Sequence, residues 1–348
     1  MFADLLRRVL RREDLTQAEA ASAMDDIIDD RVAPAQVAGL LVGLAMKGER
    51  PAEIVGFARV MRDRAMSIAA PPGMSVDLCG TGGDASGTFN ISSAASVVVA
   101  ACGVTVVKHG NRSVSSRCGS ADVFEALGVS VAAGPATVER CLREASLAFL
   151  FAPTFHPSMR NVATIRKELG VPTAFNLLGP LTNPARPRAQ LLGVPRPELT
   201  ELMARALALL GVERAWVVHG ADGLDELSTS GYTKVSECHA GAVKTFYLHP
   251  ADVGVPKAPV RALAGGDAAA NAAIIRAVLA GTPGPARDVV VLNAAAALFL
   301  AGVVNHVRDG LRVAGEAIDS GAARQALDAL VRASQPAATD TRPAGPLA

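Results

Sequence analysis

Apolar residues recur at helical spacing through the first 70 residues of the chain. Residues 1–15 place Leu between Arg, Asp and Glu, which predicts an amphipathic helix and not a signal peptide. Thr16 and Glu19 form a capping box ahead of a second helix. A third predicted helix, over 33–46, is apolar on more than one side, so it should pack against several helices or a second subunit. Pro51 suits the first turn of a fourth helix, and we expect a helical domain here.

A Pro-Pro-Gly break at residues 71–73 ends this pattern. Beyond it, short β runs alternate with helical stretches, which predicts an α/β fold with a largely parallel sheet covered by helices. The predicted strands are 76–79, 104–108, 147–151, 215–219, 234–237 and 244–248. The predicted helices lie near 91–102, 120–127, 136–145, 158–169, 197–210, 268–280, 288–304 and 307–332. The expected domains are a small all-helical one (1–70), a larger α/β one (71–333) and a loose tail (334–348).

Composition narrows the class of protein. The chain has 348 residues, 50% of them hydrophobic, as in a well-packed soluble protein of about two domains or one large one. Its formal net charge of +1 gives no global field for holding nucleic acid or an anionic membrane. The five cysteines form no CxxC pair, which indicates reduced buried thiols in a cytoplasmic protein. Two apolar stretches, 91–107 and 289–304, could be mistaken for membrane spans. Because they contain Ser or Asn, we expect them to be buried core elements instead.

The first candidate site follows the strand predicted at 76–79. That strand runs into GTGGDASGTFN (80–90), after which a helix begins. Glycines let the backbone approach a ligand, and the free N–H groups of the helix N-terminus attract anions. Side-chain donors at its mouth come from Thr88, Asn90, Ser92 and Ser93. The run matches neither the Rossmann nor the Walker pattern, and an ordinary glycine-rich turn is the alternative.

A second loop of the same kind follows the strand predicted at 104–108. It reads KHGNRSVSS (108–116), and Gly119-Ser120 then opens another helix. The carboxyl ends of parallel strands are where ligands bind in such sheets. Lys108 supplies a cation and the serines supply hydroxyl groups. Alone this could be a solvated basic loop, but two such loops on neighbouring strands indicate a ligand with separated phosphates.

Three further polar features lie later in the chain. Asp225-Glu226 follows the strand predicted at 215–219 and could bind Mg²⁺, although an isolated Asp-Glu pair is more often a solvated loop. His156 could be an ordinary buried histidine, and Arg166 an ordinary surface charge on a helix. Residues 176–184, NLLGPLTNP, are interpreted as a rigid extended hinge because proline fixes its path.

Together these motifs resemble those of the anthranilate phosphoribosyltransferase family of tryptophan biosynthesis. The matching segments are 77–128 (with DLCGTGGD and VKHGNRSVSSRCGSADVFEALG), 151–184 (with FAPTFHP and LGPLTNP) and 219–237 (with HGADGLDELSTSGYTKVSE). The resemblance extends to about residue 333. It implies a helical domain hinged to an α/β domain with the active site in the cleft, and a segment of about 166–184 that returns to the helical domain. It also implies a homodimer formed through that helical domain.

The resemblance implies a role for each motif residue. Phosphoribosyl pyrophosphate would be surrounded by Gly80, Gly83, Asp84, Thr88, Asn90, Ile91, Ser92, Ser93, Lys108, His109, Gly110, Asn111, Arg112, Ser113, Val114, Ser115, Ser116 and Ser120. Anthranilate would contact Gly80, Asn111, His156 and Arg166, with Arg166 facing its carboxylate and His109 also lining its path. Two Mg²⁺ ions per site would be held, one by Ser92 and Glu226, the other by Asp225 and Glu226.

The implied reaction is displacement of pyrophosphate from the ribose anomeric carbon by the anthranilate amine. No catalytic nucleophile is required, because electrostatics and positioning carry such a reaction. The chain departs from the family pattern at Ala85, Ser93 and Pro172, where glycine, threonine and arginine are usual, and none of these changes removes a ligand group. Ala85 is expected to stiffen the first loop.

Two alternatives share this fold. A pyrimidine nucleoside phosphorylase acts at the same carbon but takes inorganic phosphate, and the Asp225-Glu226 pair with the KHGNR loop favours pyrophosphate instead. A non-enzymatic nucleic-acid-binding relative is the other alternative. The near-zero net charge and the presence of Arg166 argue against it.

Overall fold

The computed structural model describes residues 2–113 and 117–336. The predicted ligand residues Val114, Ser115 and Ser116, and the tail from residue 337, lie outside the described residues. The chain begins with four helices, α1 (Phe2–Leu10), α2 (Gln17–Ile28), α3 (Pro34–Lys47) and α4 (Pro51–Asp63). The Thr16–Glu19 capping box is present at the start of α2. In the described part of the chain, no helix combines the length and the apolar character needed to cross a membrane.

The described residues form one seven-stranded sheet. Its strands are β1 (Ser75–Gly80), β2 (Thr105–Gly110), β3 (Leu147–Phe151), β4 (Ala189–Gly193), β5 (Arg214–Gly220), β6 (Thr233–His239) and β7 (Ala242–Leu248). Their order is β3-β2-β1-β4-β5-β6-β7. The first five are parallel, and β6 and β7 are antiparallel. The strand order reverses direction between β1 and β4, which is where α/β sheets open a crevice for ligands.

Helices cover both faces of this sheet. The helices that follow β1 in the chain are α5 (Ile91–Ala101), α6 (Ser120–Ala126), α7 (Pro135–Ala145), α8 (Ala152–Phe155), α9 (Arg160–Leu169), α10 (Ala174–Leu178), α11 (Leu199–Leu209), α12 (Pro250–Val253), α13 (Ala268–Leu279), α14 (Pro285–Leu300), α15 (Val307–Asp319) and α16 (Ala322–Ser334). Short 3-10 turns lie at 157–159, 179–181 and 260–263. One apolar cluster joins the sheet to α5, α7 and α13–α16. A second joins α1–α4 to α10, α11 and the opposite sheet face.

The segment between β3 and β4 leaves the sheet and packs on the first helices. Helix α9 contacts α2 and α3, and α10 contacts α3 and α4. Val162, Phe175 and Leu178 from this segment are buried in the same apolar cluster as Leu40 and Phe57 of α3 and α4. The chain therefore passes between the helical bundle and the sheet more than once.

The structure corrects three sequence predictions. Residues 176–184 are not an extended hinge, because α10 and the 3-10 turn at 179–181 occupy most of that stretch. The Thr173 N–H donates to Asn176 Oδ1 (3.0 Å) and caps α10. The single helix predicted at 307–332 is two helices, since Gly321 adopts a φ of +79° between them. Strand β4 was not predicted, because its sequence AQLLG lacks the β-branched and aromatic residues that mark a strand.

Candidate functional site

The first loop leaves β1 at Gly80 and reaches α5 at Ile91. Gly82, Gly83 and Gly87 have φ values of +67°, +86° and +66°, so the loop turns through conformations that glycine favours. Ala85 also has a positive φ, +53°. This is a left-handed conformation that costs an alanine about 1–2 kcal/mol. Ala85 therefore adopts a backbone conformation that glycine would adopt without this cost.

Hydrogen bonds within the first loop, and from the loop to the C-terminal part of the chain, hold it in place. The Ser86 hydroxyl donates to Asp84 and lies 3.2 Å from that of Thr88. The Phe89 N–H donates to the Leu263 carbonyl at 3.1 Å. Asn271, buried on α13, donates through Nδ2 to Asn90 Oδ1 at 3.0 Å. Sequence reasoning missed Asn271, because a single asparagine in an apolar helix carries no local signal of such a contact.

Asn90 connects the two loops directly. Its Nδ2 donates to the carbonyl of Cys118 (3.1 Å), just before the start of α6. On the second loop, the Asn111 side chain accepts from the Arg112 N–H at 2.7 Å, and the Asn111 carbonyl accepts from the Ser120 hydroxyl at 3.4 Å. A Cβ at Gly110 would lie 2.2 Å from that same hydroxyl, so glycine is required at this close approach.

Two acidic residues on α6, not predicted from the sequence, anchor the second loop. Asp122 accepts the N–H groups of Ser113 (3.2 Å) and Gly119 (2.8 Å). Arg112 donates to Asp122 at 2.9 Å and to both carboxylate oxygens of Glu125 at 2.6 and 2.7 Å. In this structure the Arg112 guanidinium is thus paired with α6 and exposed, while the loop backbone is fixed beside the helix N-terminus.

The acidic pair lies where the first loop meets α5. Asp225 Oδ2 accepts the Gly82 N–H at 3.2 Å, and Glu226 Oε1 accepts the Ser92 N–H at 3.1 Å. Burial and neighbouring carboxylates, Asp84 for Asp225 and Asp225 for Glu226, raise the pKa of both groups above the ordinary range. A cation placed between them would relieve this repulsion.

Lys108 lies under the same site. Its side chain is buried, and its ammonium group donates to the Leu78 carbonyl and to Ser92 Oγ, the latter at 3.3 Å. Its positive charge favours the ionised form of both Asp225 and Glu226. Ile91 and Ser93 are also buried, and the Ser93 hydroxyl has no hydrogen-bond partner among the described residues. These three predicted ligand residues are therefore buried in β2 and at the start of α5.

The residues around the acidic pair fit a divalent metal ion. The described residues contain no cluster of three or more His, Cys, Asp and Glu side chains that could hold an ion unaided. Asp225, Glu226 and the Ser92 hydroxyl offer hard oxygen atoms instead, which Mg²⁺ prefers, and phosphate oxygens of a substrate would complete the coordination. Gly80 leaves room for this arrangement, because a Cβ there would lie 2.3 Å from Asp225 Oδ2.

Two histidines form a neutral pair beside the second loop. The rings of His109 and His156 are 5.2 Å apart. Burial lowers the pKa of His109 to about 3 and that of His156 to about 4. Both Nε2 atoms are buried and have no hydrogen-bond partner among the described residues. The pair therefore places two uncharged polar atoms without hydrogen-bond partners in this buried part of the fold.

Arg166 extends from α9 and lies over the ring of Phe175 on α10, with its guanidinium carbon 5.6 Å from the ring centroid. Burial alone lowers the pKa of Arg166, so no carboxylate of the described residues offsets the cost of holding this charge there. Helix α10 and the turn that follows it connect Arg166 to the histidine pair, because His109 contacts the Gly179 carbonyl at the end of α10. A half-buried guanidinium without an acidic partner is suited to an anionic ligand.

Three consecutive backbone carbonyls after α10 accept side-chain hydrogen bonds from different parts of the fold. The donors are His109 Nδ1 to Gly179 (3.1 Å), Gln190 Nε2 to Pro180 (2.7 Å) and Arg62 Nε to Leu181 (2.6 Å). We call residues 179–183 the strap. At its end, Asn183 Nδ2 donates to Asp77 Oδ2 (2.9 Å) and to the Val107 carbonyl (2.7 Å). The strap thus ties α4 to β1, β2 and β4.

The chain is similar to known proteins over nearly its whole length. Residues 3–65 match the glycosyl transferase family's helical bundle domain, and residues 73–324 match the a/b domain of the same family. A protein of Moorella thermoacetica named anthranilate phosphoribosyltransferase is 54% identical over 331 residues, or 95% of this chain and 98% of that protein. The protein of the same name from Azorhizobium caulinodans is 51% identical over 96% of this chain and 97% of its own length.

Solved structures agree with these sequence comparisons. The anthranilate phosphoribosyltransferase of Thermus thermophilus superposes with a TM-score of 0.90 at 44% identity, covering 95% of this chain and 99% of that one. The Saccharomyces cerevisiae enzyme in complex with PRPP and Mg has a TM-score of 0.87 at 28% identity, covering 96% and 97%. The same yeast enzyme has also been solved with 4-fluoroanthranilate, with a TM-score of 0.85 at 28% identity over 96% and 98%.

Proposed function

Because the chain belongs to the anthranilate phosphoribosyltransferase family, we propose that it transfers the phosphoribosyl group of 5-phosphoribosyl 1-pyrophosphate to the amine of anthranilate. The products are N-(5-phosphoribosyl)anthranilate and pyrophosphate, a step of tryptophan biosynthesis. One observation carries the proposal: the Asp225-Glu226 pair contacts both the first glycine-rich loop and the start of α5, through Gly82 and Ser92. That arrangement suits a pyrophosphate held as a metal complex.

The donor would lie against both loops. The N–H groups of the first loop and of the α5 N-terminus would bind its pyrophosphate oxygens. Asp225, Glu226 and Ser92 would hold Mg²⁺, which when bound supplies positive charge that stabilises the departing pyrophosphate. Lys108 adds a fixed positive charge below the site, and its buried position means that it need not reorganise during the reaction.

The acceptor would lie between Arg166 and the histidine pair. Arg166 would pair with the carboxylate of anthranilate, since it has no acidic partner of its own among the described residues. His109 and His156 stay neutral at physiological pH, so they do not compete for that carboxylate or protonate the amine. The anthranilate amine is nucleophilic in its neutral form, and positioning it toward the anomeric carbon is the main task left to the protein.

The proposal has three further parts. Two Mg²⁺ ions per site would share Glu226, one with Ser92 and the other with Asp225. A homodimer would form through the helical bundle, where Leu10 and Met46 are 66% and 73% exposed. A cytoplasmic location is supported by the five cysteines, all of them outside any disulfide in the described chain, as is usual in a reducing compartment.

The test is the loss of anthranilate fluorescence when the protein is mixed with phosphoribosyl pyrophosphate and Mg²⁺. We expect a Mg²⁺-dependent loss that the Asp225→Ala, Glu226→Ala double variant slows by about 1,000-fold or more, because electrostatic stabilisation of the leaving group is removed. No loss with the wild-type protein would refute the acceptor assignment. Near-normal turnover by the double variant would refute the metal assignment. Phosphate-dependent release of thymine from thymidine would favour a nucleoside phosphorylase instead.

A further inference from the structure

Helix α14 carries an isolated polar residue in its apolar stretch. Residues 289–300 read VVVLNAAAALFL, with Asn293 as their one polar side chain. Asn293 is fully buried. A buried amide costs free energy unless its donors and acceptor are paired, so its contacts indicate why the site requires it.

Asn293 pairs with the backbone of the residue that follows the acidic pair. Its Oδ1 accepts the Leu227 N–H at 3.1 Å, and its Nδ2 donates to the Leu227 carbonyl at 3.2 Å. The same Nδ2 also donates to the Val289 carbonyl at 2.9 Å, one turn back in the helix. Because Leu227 is held through both its N–H and its carbonyl, the backbone after Glu226 is attached to α14.

The turn that carries the acidic pair is also fixed from within. Asp222 Oδ2 accepts the hydroxyl groups of Ser228 (2.6 Å) and Ser230. The Ser228 N–H donates to Thr233 Oγ1 at 2.9 Å. These contacts shape the turn, whereas the contact with Asn293 attaches it to a helix of the main core.

We propose that Asn293 is a positioning residue that holds the Asp225-Glu226 pair in the geometry needed to bind the metal ion with phosphoribosyl pyrophosphate. The inference rests on the proposed function. Two adjacent carboxylates repel each other and separate unless their backbone is held. Freeing Leu227 removes that hold without changing any oxygen atom that would contact the metal ion. Mutation of a residue that holds a metal ligand in place commonly lowers metal affinity by about 10–100-fold.

The test compares Asn293→Leu with a packing control, Leu298→Ala. Leucine has the same number of side-chain heavy atoms as asparagine and the same branching at Cγ, but it cannot form hydrogen bonds to Leu227. Leu298 is buried on the same helix, so its truncation destabilises the core without removing the Asn293 contacts. Binding of Mn²⁺ to each full-length protein in the presence of phosphoribosyl pyrophosphate is followed by electron paramagnetic resonance, and thermal unfolding is measured alongside.

We expect Asn293→Leu to weaken Mn²⁺ binding by about tenfold or more, and Leu298→Ala to bind Mn²⁺ as the wild type does despite a lower Tm. Unchanged Mn²⁺ affinity in Asn293→Leu would overturn the inference, as would an equal loss in Leu298→Ala. If Asn293→Leu does not fold, Asn293→Ser takes its place with the same criteria. Anthranilate is absent from the binding assay, so a wild-type protein that binds Mn²⁺ but does not consume anthranilate refutes the proposed reaction alone.

Discussion

Replacing Gly80 with alanine should separate activity from stability in this protein. A Cβ at Gly80 would lie 2.3 Å from Asp225 Oδ2 and 3.1 Å from its Cγ. Ordinary contacts between such atoms begin near 3.4 Å, so the carboxylate must move by about 1 Å. The obstacle is the end of a side chain and not backbone, so rotation of Asp225 can relieve it.

The two consequences differ in size. A displacement of about 1 Å at a reacting site costs about 100-fold in rate, or about 2.7 kcal/mol of transition-state stabilisation. The folded protein should lose only the hydrogen bond from the Gly82 N–H to Asp225, which is worth about 1 kcal/mol. Alanine offsets part of this loss because it restricts the unfolded chain more than glycine does. The free energy of unfolding should therefore change by less than about 1 kcal/mol.

Two other glycines provide matched controls. A Cβ at Gly193 would lie 1.5 Å from the backbone carbonyl oxygen of Asp225, which cannot rotate away, so Gly193→Ala should lose both stability and activity. Gly134 is the N-cap of α7 and a Cβ there would meet no atom within 4 Å, so Gly134→Ala should keep full activity and lose at most about 1 kcal/mol of stability through the weaker cap. The assays are kcat/KM from anthranilate fluorescence and urea unfolding. Activity of Gly80→Ala within threefold of wild type, or a stability loss like that of Gly193→Ala, would refute the reasoning.

Two further predictions concern the acceptor side of the site. Arg166→Gln should raise the KM for anthranilate by about 10–100-fold through the loss of one charge-assisted pair, while the KM for phosphoribosyl pyrophosphate stays within threefold; an equal rise in both would contradict the assignment. His156→Gln should destabilise the protein less at pH 5.5 than at pH 7.5. Below pH 6.5, His156 takes up a proton in the unfolded protein but stays neutral in the folded protein, where its pKa is about 4. This difference lowers the free energy of unfolding of the wild type by about 1.4 kcal/mol at pH 5.5. Urea unfolding at the two pH values measures the difference, and an equal cost at both would show that His156 is not held neutral.

Local patterns predicted most of the strands and both loops, because the glycine-rich run after β1 and the KHGNRSVSS run at the end of β2 are each confined to a few adjacent residues. Strand β4 was missed since Ala, Gln, Leu and Gly have no strong strand preference, and only its burial between β1 and β5 makes it a strand. The path of residues 176–184, which include the strap, was misjudged because Pro180 and Pro184 suggested an extended path. Its true shape depends on donors that lie far away in the sequence, such as Arg62 and Gln190.

The residues that support the site could not be predicted either, because most of their partners also lie far away in the sequence. Asn271 and Asn293 are single polar residues in apolar helices, and nothing beside them in the sequence shows which backbone they meet. Asp122 caps the second loop from a helix that was predicted, but its partners depend on how the loop folds back. Motifs predict which residues touch the ligand, and that stays a prediction, whereas no motif predicts the residues that hold them in place.

Because the strap bonds to both the helical bundle and the sheet, neither part is a separable unit of this protein. The chain passes between the bundle and the sheet at about residues 65–75, 155–160 and 181–189, and the first two passages meet where the Met66 N–H donates to the Phe155 carbonyl at 3.0 Å. A gene fragment that begins after α4 would lose Arg62 and the apolar partners of Val162 and Phe175. The two halves therefore cannot be exchanged between relatives by a single junction. A chimaera would need to carry residues 160–183 together with the bundle.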